Sequence, residues 1–364
     1  MRQTAPSVPA ADLPIGAHQS IAGGTPRAVE RGVSAGCRVV QIFVKNNNRW
    51  AGKTIEEAEA REFRRAARRA ELAHVAAHTS YLINLASPSL ELRRQSVAAL
   101  ADEILRCEAL GIRDLVHHPG SHGGEGEAAG VARIAASLDE AFRLTEGTRV
   151  RVLLETAAGQ GTAVGHRFEH LRDILGAVRQ RRRVAVCLDT CHVHAAGYEL
   201  SSPEGYSETL VTFERTIGLR NLVAIHVNDS KKPKGSRVDR HEHIGRGSIG
   251  RKGFRNLMTD PRLAAIPKFL ETPKDETLDL DRRNLAILRR LATPSPPAGE
   301  PEGWLSAAAV ASRLAAERFQ DRGQPTGDLQ RRPGPKATSR GASGRQDGVR
   351  ASRVATAMER RIPE

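Results

Sequence analysis

Between residues 13 and 292 one pattern recurs: a short apolar run, a polar turn, then a stretch with apolar residues at helical spacing. The runs are 15–18, 39–44, 74–78, 115–118, 150–155, 184–189, 222–227 and 267–271, which makes eight. Helical stretches such as 55–72, 90–110 and 131–144 lie between them. Eight strand–helix units over about 280 residues predict an α/β fold of the (β/α)8 TIM-barrel type, with a doubly wound sheet as the alternative. The pattern stops near residue 293, where Ala292-Thr-Pro-Ser-Pro-Pro-Ala-Gly-Glu-Pro-Glu-Gly303 can neither continue a helix nor join a sheet. The expected organisation is a flexible N-terminus (1–12), a barrel (13–292) and a Pro/Gly/Arg-rich tail (293–364). One amphipathic helix fits 304–319, and the rest of the tail reads as disordered.

The ends of the runs are chemically unusual. Runs three to eight deliver His78, His118, Glu155, Asp189, His226 and Glu271. In a (β/α)8 barrel all strand C-termini share one face, where active sites are built. His192 follows Asp189 by three residues, and Asp239 and His241 lie in the loop after run seven. Residues two apart in an extended segment face the same way, so that last pair can grip one ion. Imidazole mixed with carboxylate suits zinc, manganese or iron, whereas calcium prefers oxygen alone. Any one histidine of this kind is ordinarily a hydrogen-bonding residue and nothing more. Nine candidate ligands, six at run ends and three close behind, are too many for one tetrahedral ion, and suit two or three that share a bridging carboxylate. His74, His166 and His170 are expected to be structural, and His117 should face away from His118 across its strand.

Charge gives a second, independent hint. Lys+Arg 56 against Asp+Glu 42 leaves a net +14. The tail holds 12 basic and 8 acidic groups, so the barrel region keeps +10. A domain this basic commonly meets an anionic partner such as nucleic acid. Arginine supplies 47 of the 56 basic residues, which also fits a compositional bias. No apolar run approaches the roughly 20 residues of a membrane span, and Met1-Arg-Gln-Thr-Ala-Pro6 lacks the apolar region of a secretory signal. Four cysteines, Cys37, Cys107, Cys187 and Cys191, make no disulfide scaffold at this length, so a cytoplasmic protein is expected.

Other motifs carry less. Gly245-Arg-Gly-Ser-Ile-Gly250 matches the dinucleotide fingerprint literally, but lacks the preceding strand and the downstream acid. A tight glycine turn near the active face is expected there. Cys187 should be core, and Cys191 should pack beside the metals without ligating them. No Walker A motif and no serine nucleophile elbow occurs.

A set of longer motifs is recognisable as a group. Gly16-Ala-His-Gln-Ser20, Gln41-Ile-Phe-Val-Lys-Asn46, His78-Thr-Ser-Tyr-Leu-Ile-Asn-Leu-Ala-Ser-Pro88, His118-Pro-Gly-Ser-His122, Glu155-Thr-Ala-Ala-Gly-Gln-Gly161, Asp189-Thr-Cys-His192, Ala196-Gly-Tyr198, His226-Val-Asn-Asp229 and Asp239-Arg-His241 resemble the endonuclease IV family over roughly residues 13–275. The resemblance implies a zinc-dependent (β/α)8 abasic-site endonuclease of base-excision repair, with three Zn2+ per chain and Mn2+ as a substitute. It implies that His78, His118 and Glu155 hold one ion, that Glu155, Asp189, His226 and Glu271 hold a second, and that His192, Asp239 and His241 hold a third. Glu155 would bridge at the catalytic centre. The implied product is a nick 5′ to the abasic sugar with a free 3′-hydroxyl, made by a monomer on double-stranded DNA. Tyr81 matches the family's inserted tyrosine. The position of its inserted arginine is held by Asn48, with Arg49 one residue later. Lys45, Arg49, Lys231, Lys232, Lys234 and Arg237 would contact phosphates without reading sequence.

Two rival readings use fewer of these residues. A sugar isomerase or epimerase of the same barrel superfamily needs one divalent metal on Glu155, Asp189, His226 and Glu271, and leaves the other ligands unexplained. A basic DNA-binding scaffold with structural zinc explains the charge but not the placement of ligands at loop ends.

Overall fold

The computed structural model describes residues 12–293. The expectations for residues 1–11, and for the tail with its helix at 304–319, lie outside the described residues. Seven strands come first: β1 (Ile15–Gln19), β2 (Val39–Phe43), β3 (His74–His78), β4 (Asp114–His117), β5 (Arg151–Glu155), β6 (Val184–Asp189) and β7 (Leu222–His226). The short strands β8 (Asp229–Ser230) and β9 (His241–Glu242) pair as an antiparallel ribbon, and β10 (Lys268–Leu270) completes the set. β1 to β7 and β10 form one closed parallel barrel in the order β1-β10-β7-β6-β5-β4-β3-β2. Pairing of Ile15 with Lys268 and Gly16 with Phe269 closes the ring and excludes the open doubly wound sheet.

The helices are α1 (Thr25–Ala35), α2 (Glu57–Arg69), α3 (Leu90–Leu110), α4 (Glu127–Leu144), α5 (Phe168–Ala177), α6 (Thr190–Ala196), α7 (Pro203–Thr216), α8 (Gly250–Thr259) and α9 (Asp279–Ala292). α3 runs from the Ser89 cap, which accepts from Leu92 N, to left-handed Gly111, as its sequence predicts. α2 stops short of the expected 72, and Glu71 beyond it adopts a positive φ of 49°. α4 begins four residues before the expected 131, because Glu127-Ala-Ala-Gly130 is helix-compatible but has no large apolar residue to mark a period. Among the described residues no helix is long and apolar enough to cross a membrane.

Strand alternation divides the core in two. Val39, Ala76, Val116, Leu153, Ala185, Cys187, Ala224 and Phe269 form a small cluster of their own, the filling of the barrel. Their neighbours Val40, Ile42, Ala77, Leu115, Val152, Leu154, Val186, Leu188, Ile225 and Leu270 join the larger core beneath the helices. With a side-chain period of two, the residues two beyond the filling also face inward. Those are Gln41, His78, His118, Glu155, Asp189, His226 and Glu271. His118 and Glu271 stand one residue past their strands and keep this phase.

Gly16 pairs with Val39 of β2, and a Cβ there would overlap the Val39 carbonyl oxygen. Gly16→Ala should therefore force the two backbones apart and cost about 1–3 kcal/mol or more. An unchanged urea midpoint for that variant would show that the β1–β2 seam can open freely.

Candidate metal centre

The inward residues converge at the C-terminal mouth of the barrel. Ligand atoms of His78, His118 and Glu155 all lie within 4.8 Å of one another, as do those of Glu155, Asp189, His226 and Glu271, and those of His192, Asp239 and His241. Glu155 belongs to the first two groups and divides its oxygens between them. Its Oε2 lies 3.2 Å from His78 Nε2 and 2.9 Å from His118 Nε2, and its Oε1 lies 2.9 Å from His226 Nδ1. Asp239 sits 3.1 Å from His192 Nε2 and 3.3 Å from His241 Nε2. Asp189 Oδ2 is 3.7 Å from His241 Nε2 and so links the third group to the second.

Local structure explains how the third group is assembled. Asp189 ends β6 and caps α6, its Oδ1 accepting from His192 N at 2.8 Å. One turn of helix thus places His192 beside the strand that leads into it. The ribbon pairs Ser230 with His241, which brings the loop after β7 back over the barrel mouth.

Hydrogen bonds at the far side of each ring favour one tautomer. His78 Nδ1 donates to Thr79 O at 2.8 Å, His192 Nδ1 to Thr156 O at 2.8 Å and His241 Nδ1 to Glu271 O at 3.2 Å. A ring that donates from Nδ1 presents the Nε2 lone pair inward, the arrangement typical of metal-binding histidine. Among the described residues, the buried Nε2 atoms of His192 and His241 have no hydrogen-bond partner of acceptable geometry. His226 works in the opposite sense: Nε2 donates to Gln41 Oε1 at 2.9 Å, and Nδ1 faces Glu155 and Glu271. These lone pairs, aimed at shared carboxylates, fit divalent cations of the zinc type.

The charge balance agrees. Burial works against the Glu155 carboxylate, yet His118 and His226 outweigh it and hold the group well below its ordinary range. Burial likewise opposes charge on His241, but Asp189 and Asp239 lift its pKa to about 9. His192, also opposed by burial, is raised well above its ordinary value by Asp189, Asp239 and Glu155. The buried carboxylates thus favour positive charge at His192 and His241, which divalent cations would supply in place of protons.

The remaining sequence candidates separate cleanly. Tyr81 is 58% exposed, with its ring 5.6 Å from His78 and 5.9 Å from His118. Asn48 and Arg49 are exposed on the neighbouring loop, and Lys231, Lys232 and Arg237 on the loop between the ribbon strands. Lys45 is a correction. Its side chain is 2% exposed and its ammonium lies against Trp50 O, Asp102 and Glu103, so it is not available to a phosphate. Exposed Lys234 pairs with Glu199 at 2.9 Å. His117 turns away from the site toward Thr79 Oγ1 at 3.0 Å. His74 pairs with Asp114, while His166 and His170 pair with Glu127. Cys187 lies in the barrel filling, and Cys191 Sγ packs against Arg240 O, with Asp189 and His241 close by.

Three buried or half-buried residues, His18, Gln41 and Asn228, were not singled out in the sequence. Gln41 Nε2 donates to Glu271 Oε1 at 2.7 Å and to His18 Nδ1 at 3.1 Å, while its oxygen accepts from His226. Asn228 donates to Asp189 Oδ2 at 2.6 Å and accepts from Glu271 N at 2.8 Å. Gln41 was legible as a polar residue inside an otherwise apolar run; Asn228 had no comparable signal.

A family model described as xylose isomerase-like TIM barrel matches residues 29–292. A protein of Chloroflexus aurantiacus named probable endonuclease 4 is 49% identical over 276 residues, 76% of this chain and 97% of its own. One of the same name from Geobacter sp. strain M21 is 47% identical over 277 residues, 76% of this chain and 98% of its own. The crystal structure of endonuclease IV from Thermus thermophilus superposes with a TM-score of 0.69 at 36% identity, covering 76% of this chain and 98% of that one.

Gln41 offers a direct test of the hydrogen bonds behind the ligands. Gln41→Ala removes the partner of His226 Nε2 and of Glu271, and should weaken metal affinity about 10- to 100-fold. Competition against a chromophoric chelator measures this; unaltered affinity would show that His226 and Glu271 are oriented by packing alone.

Proposed function

The chain belongs to the endonuclease IV family of hydrolases, and from that premise we propose that it cleaves double-stranded DNA 5′ to an abasic site, leaving a 3′-hydroxyl, with three zinc ions. The observation that carries this reading is the third group, His192, Asp239 and His241, joined through Asp189 to the four-residue group around Glu155. A one-metal sugar isomerase has no use for that trio, nor for His78 and His118.

In this reading His78, His118 and Glu155 hold one ion. Glu155, Asp189, His226 and Glu271 hold the second, and His192, Asp239 and His241 the third. Manganese is the natural substitute, since it accepts the same imidazole and carboxylate donors. Bound ions of this kind supply a nucleophile from water near neutral pH and positive charge for a leaving oxygen.

The chain's own residues supply placement. Glu155, buried between two ligand groups, keeps them at a separation set by one carboxylate. Asp189 joins ligand and helix cap in one side chain, so His192 cannot shift without disturbing the second group. Tyr81 stands beside His78 and His118 with its ring exposed, where it can stack on a base or sugar next to the lesion. Asn48 or Arg49 would enter the duplex from the adjacent loop, and Arg49, Lys231, Lys232 and Arg237 would meet phosphates. An abasic nucleotide has no pairing to lose and leaves the stack at small cost, which favours damaged over intact DNA. All nine ligands come from one chain, in keeping with a monomer. The four cysteines are free and buried, in keeping with the cytoplasm.

The decisive experiment is the variant Asp239→Asn/His241→Ala. Its zinc content should fall from about three to about two per chain. Single-turnover cleavage of an abasic duplex should drop at least on the order of a hundredfold, because loss of one electrostatic stabiliser typically costs about 2.7–4 kcal/mol. Unchanged zinc and unchanged cleavage would eliminate the third-ion role, and sugar isomerisation without nicking by the parent protein would favour the isomerase. Separately, Tyr81→Ala should weaken abasic-duplex binding by about 1–3 kcal/mol, with its unfolding midpoint unaltered. A variant that loses stability but binds as before would make Tyr81 a structural residue.

A further inference from the structure

Two loops carry the residues assigned above to the lesion: 46–53, with Asn48 and Arg49, and 79–82, with Tyr81. Both are held from below by α3. The Ser80 amide donates to both oxygens of Glu103, at 3.3 and 3.2 Å, which fixes the backbone next to Tyr81. Lys45 Nζ reaches the same carboxylate at 3.2 Å, and also donates to Asp102 at 3.1 Å and to Trp50 O at 2.9 Å. Arg106, itself bonded to Asp102 at 2.8 Å, donates to Gly52 O at 3.0 Å and Lys53 O at 2.7 Å. Ser80 Oγ donates across to Asn47 O at 2.7 Å.

The contacts to loop 46–53 are therefore made to main-chain carbonyls of Asn47, Trp50, Gly52 and Lys53. They locate Asn48 and Arg49 without engaging either side chain. Glu103 is the node at which both loops meet, through Lys45 on one side and Ser80 on the other. The pair is fully internal, with Lys45 and Glu103 side chains 2% and 1% exposed. Burial lifts the Glu103 carboxyl to about 7 against the pull of Lys45, so the carboxylate depends on its partners. Breaking one side of such a buried pair leaves an uncompensated charge.

We propose that Lys45 and Glu103 form a strut that sets the spacing between loop 46–53 and Tyr81, and so determines affinity for an abasic duplex without touching DNA. The inference rests on the reading that these two loops engage the lesion. A duplex gripped at two points needs both points preorganised, and a small displacement of one loop wastes the other's contacts. The strut makes no direct hydrogen bond or ion pair with the candidate ligands; its one link to them is the Thr79–Ser80 peptide, whose carbonyl accepts from His78 Nδ1 while its amide donates to Glu103. His78 is also held by the β2–β3 pairing and by Glu155, so loss of the strut should leave the metal centre assembled.

The test uses the full-length, zinc-loaded protein and four variants: Glu103→Gln, Lys45→Met/Glu103→Leu (which leaves no buried charge unpaired), Tyr81→Ala and Arg49→Ala. Fluorescence anisotropy reads binding to a duplex with a tetrahydrofuran abasic analogue and to the undamaged duplex. Zinc content and hydrolysis of bis(4-nitrophenyl) phosphate, a phosphodiester with no duplex to be gripped at two points, report on the metal centre. Both strut variants should bind the abasic duplex on the order of tenfold more weakly. Their undamaged-duplex binding, zinc content and hydrolysis of the small diester should stay unchanged. If Tyr81→Ala weakens abasic binding while both strut variants bind like the parent, the strut is wrong and the loop reading stands. If neither Tyr81→Ala nor Arg49→Ala alters abasic binding, the loop reading fails and the strut with it. A parallel fall in zinc content or small-diester hydrolysis in the strut variants would also overturn the proposal, by showing that the pair supports the whole barrel mouth.

Discussion

The phase of the barrel strands sets the direction of six of the nine candidate ligands, and the other three are assembled onto them. Ala76 precedes His78 by two residues, Val116 precedes His118, Leu153 precedes Glu155, Cys187 precedes Asp189, Ala224 precedes His226 and Phe269 precedes Glu271. The first member of each pair fills the barrel; the second closes its mouth with an imidazole or a carboxylate. Side chains on a strand alternate strictly, so the packing that fixes the apolar member also fixes the direction of the polar one. These six candidate ligands are thereby held at the ends of packed barrel strands, while the loops beyond them are freer to diverge in sequence. The cost is a concentration of buried carboxylate that no apolar filling can offset, and this is why the mouth requires positive charge.

Glu155 and Asp189 show how few parts join the ligand groups. One carboxylate of Glu155 divides its oxygens between two groups, and Asp189 ties β6, α6 and the ribbon loop together through Oδ1 to His192 N and Oδ2 toward His241. Behind them Gln41 and Asn228 each bond two elements at once, β7 with the end of β10 and the end of β6 with the end of β10. A buried amide has both a donor and an acceptor, which lets it orient an imidazole and a carboxylate simultaneously. Hydrocarbon in the same place would fill space but impose no tautomer.

The barrel, and the convergence of the candidate ligand residues at its mouth, were legible because both follow from periodicity and position. The eight runs lie on the eight barrel strands to within a few residues, and the polar residue at or next to the end of each of runs three to eight is the one that faces inward. Lys45 was not legible. It sits among Asn46-Asn-Asn-Arg49, where a lysine reads as a phosphate contact, and only the tertiary approach of α3 places Asp102 and Glu103 against it. The β8–β9 ribbon escaped for a similar reason, since two-residue strands carry no period. Gln41 was visible but ambiguous, because a polar residue within a strand run is equally compatible with an exposed edge.

Gly245-Arg-Gly-Ser-Ile-Gly250 shows why a motif needs its surroundings. Its backbone amides do converge on an anion, as the same spacing does in dinucleotide sites. Here the anion belongs to the protein. The Asp229 carboxylate, fully buried at the start of β8, accepts from Gly245 N at 2.9 Å, Gly247 N at 3.0 Å and Ile249 N at 3.0 Å, as well as from its own neighbour Ser230 N at 2.8 Å. A Cβ on Gly247 would collide with Asp229 and with the Ser230 carbonyl oxygen, so the glycine is required by the closeness of this internal carboxylate. A site filled in this way has no room for a phosphate. The loop's charge-assisted bonds instead fasten the start of α8 to the ribbon that carries His241, and the glycines support the candidate site from a distance.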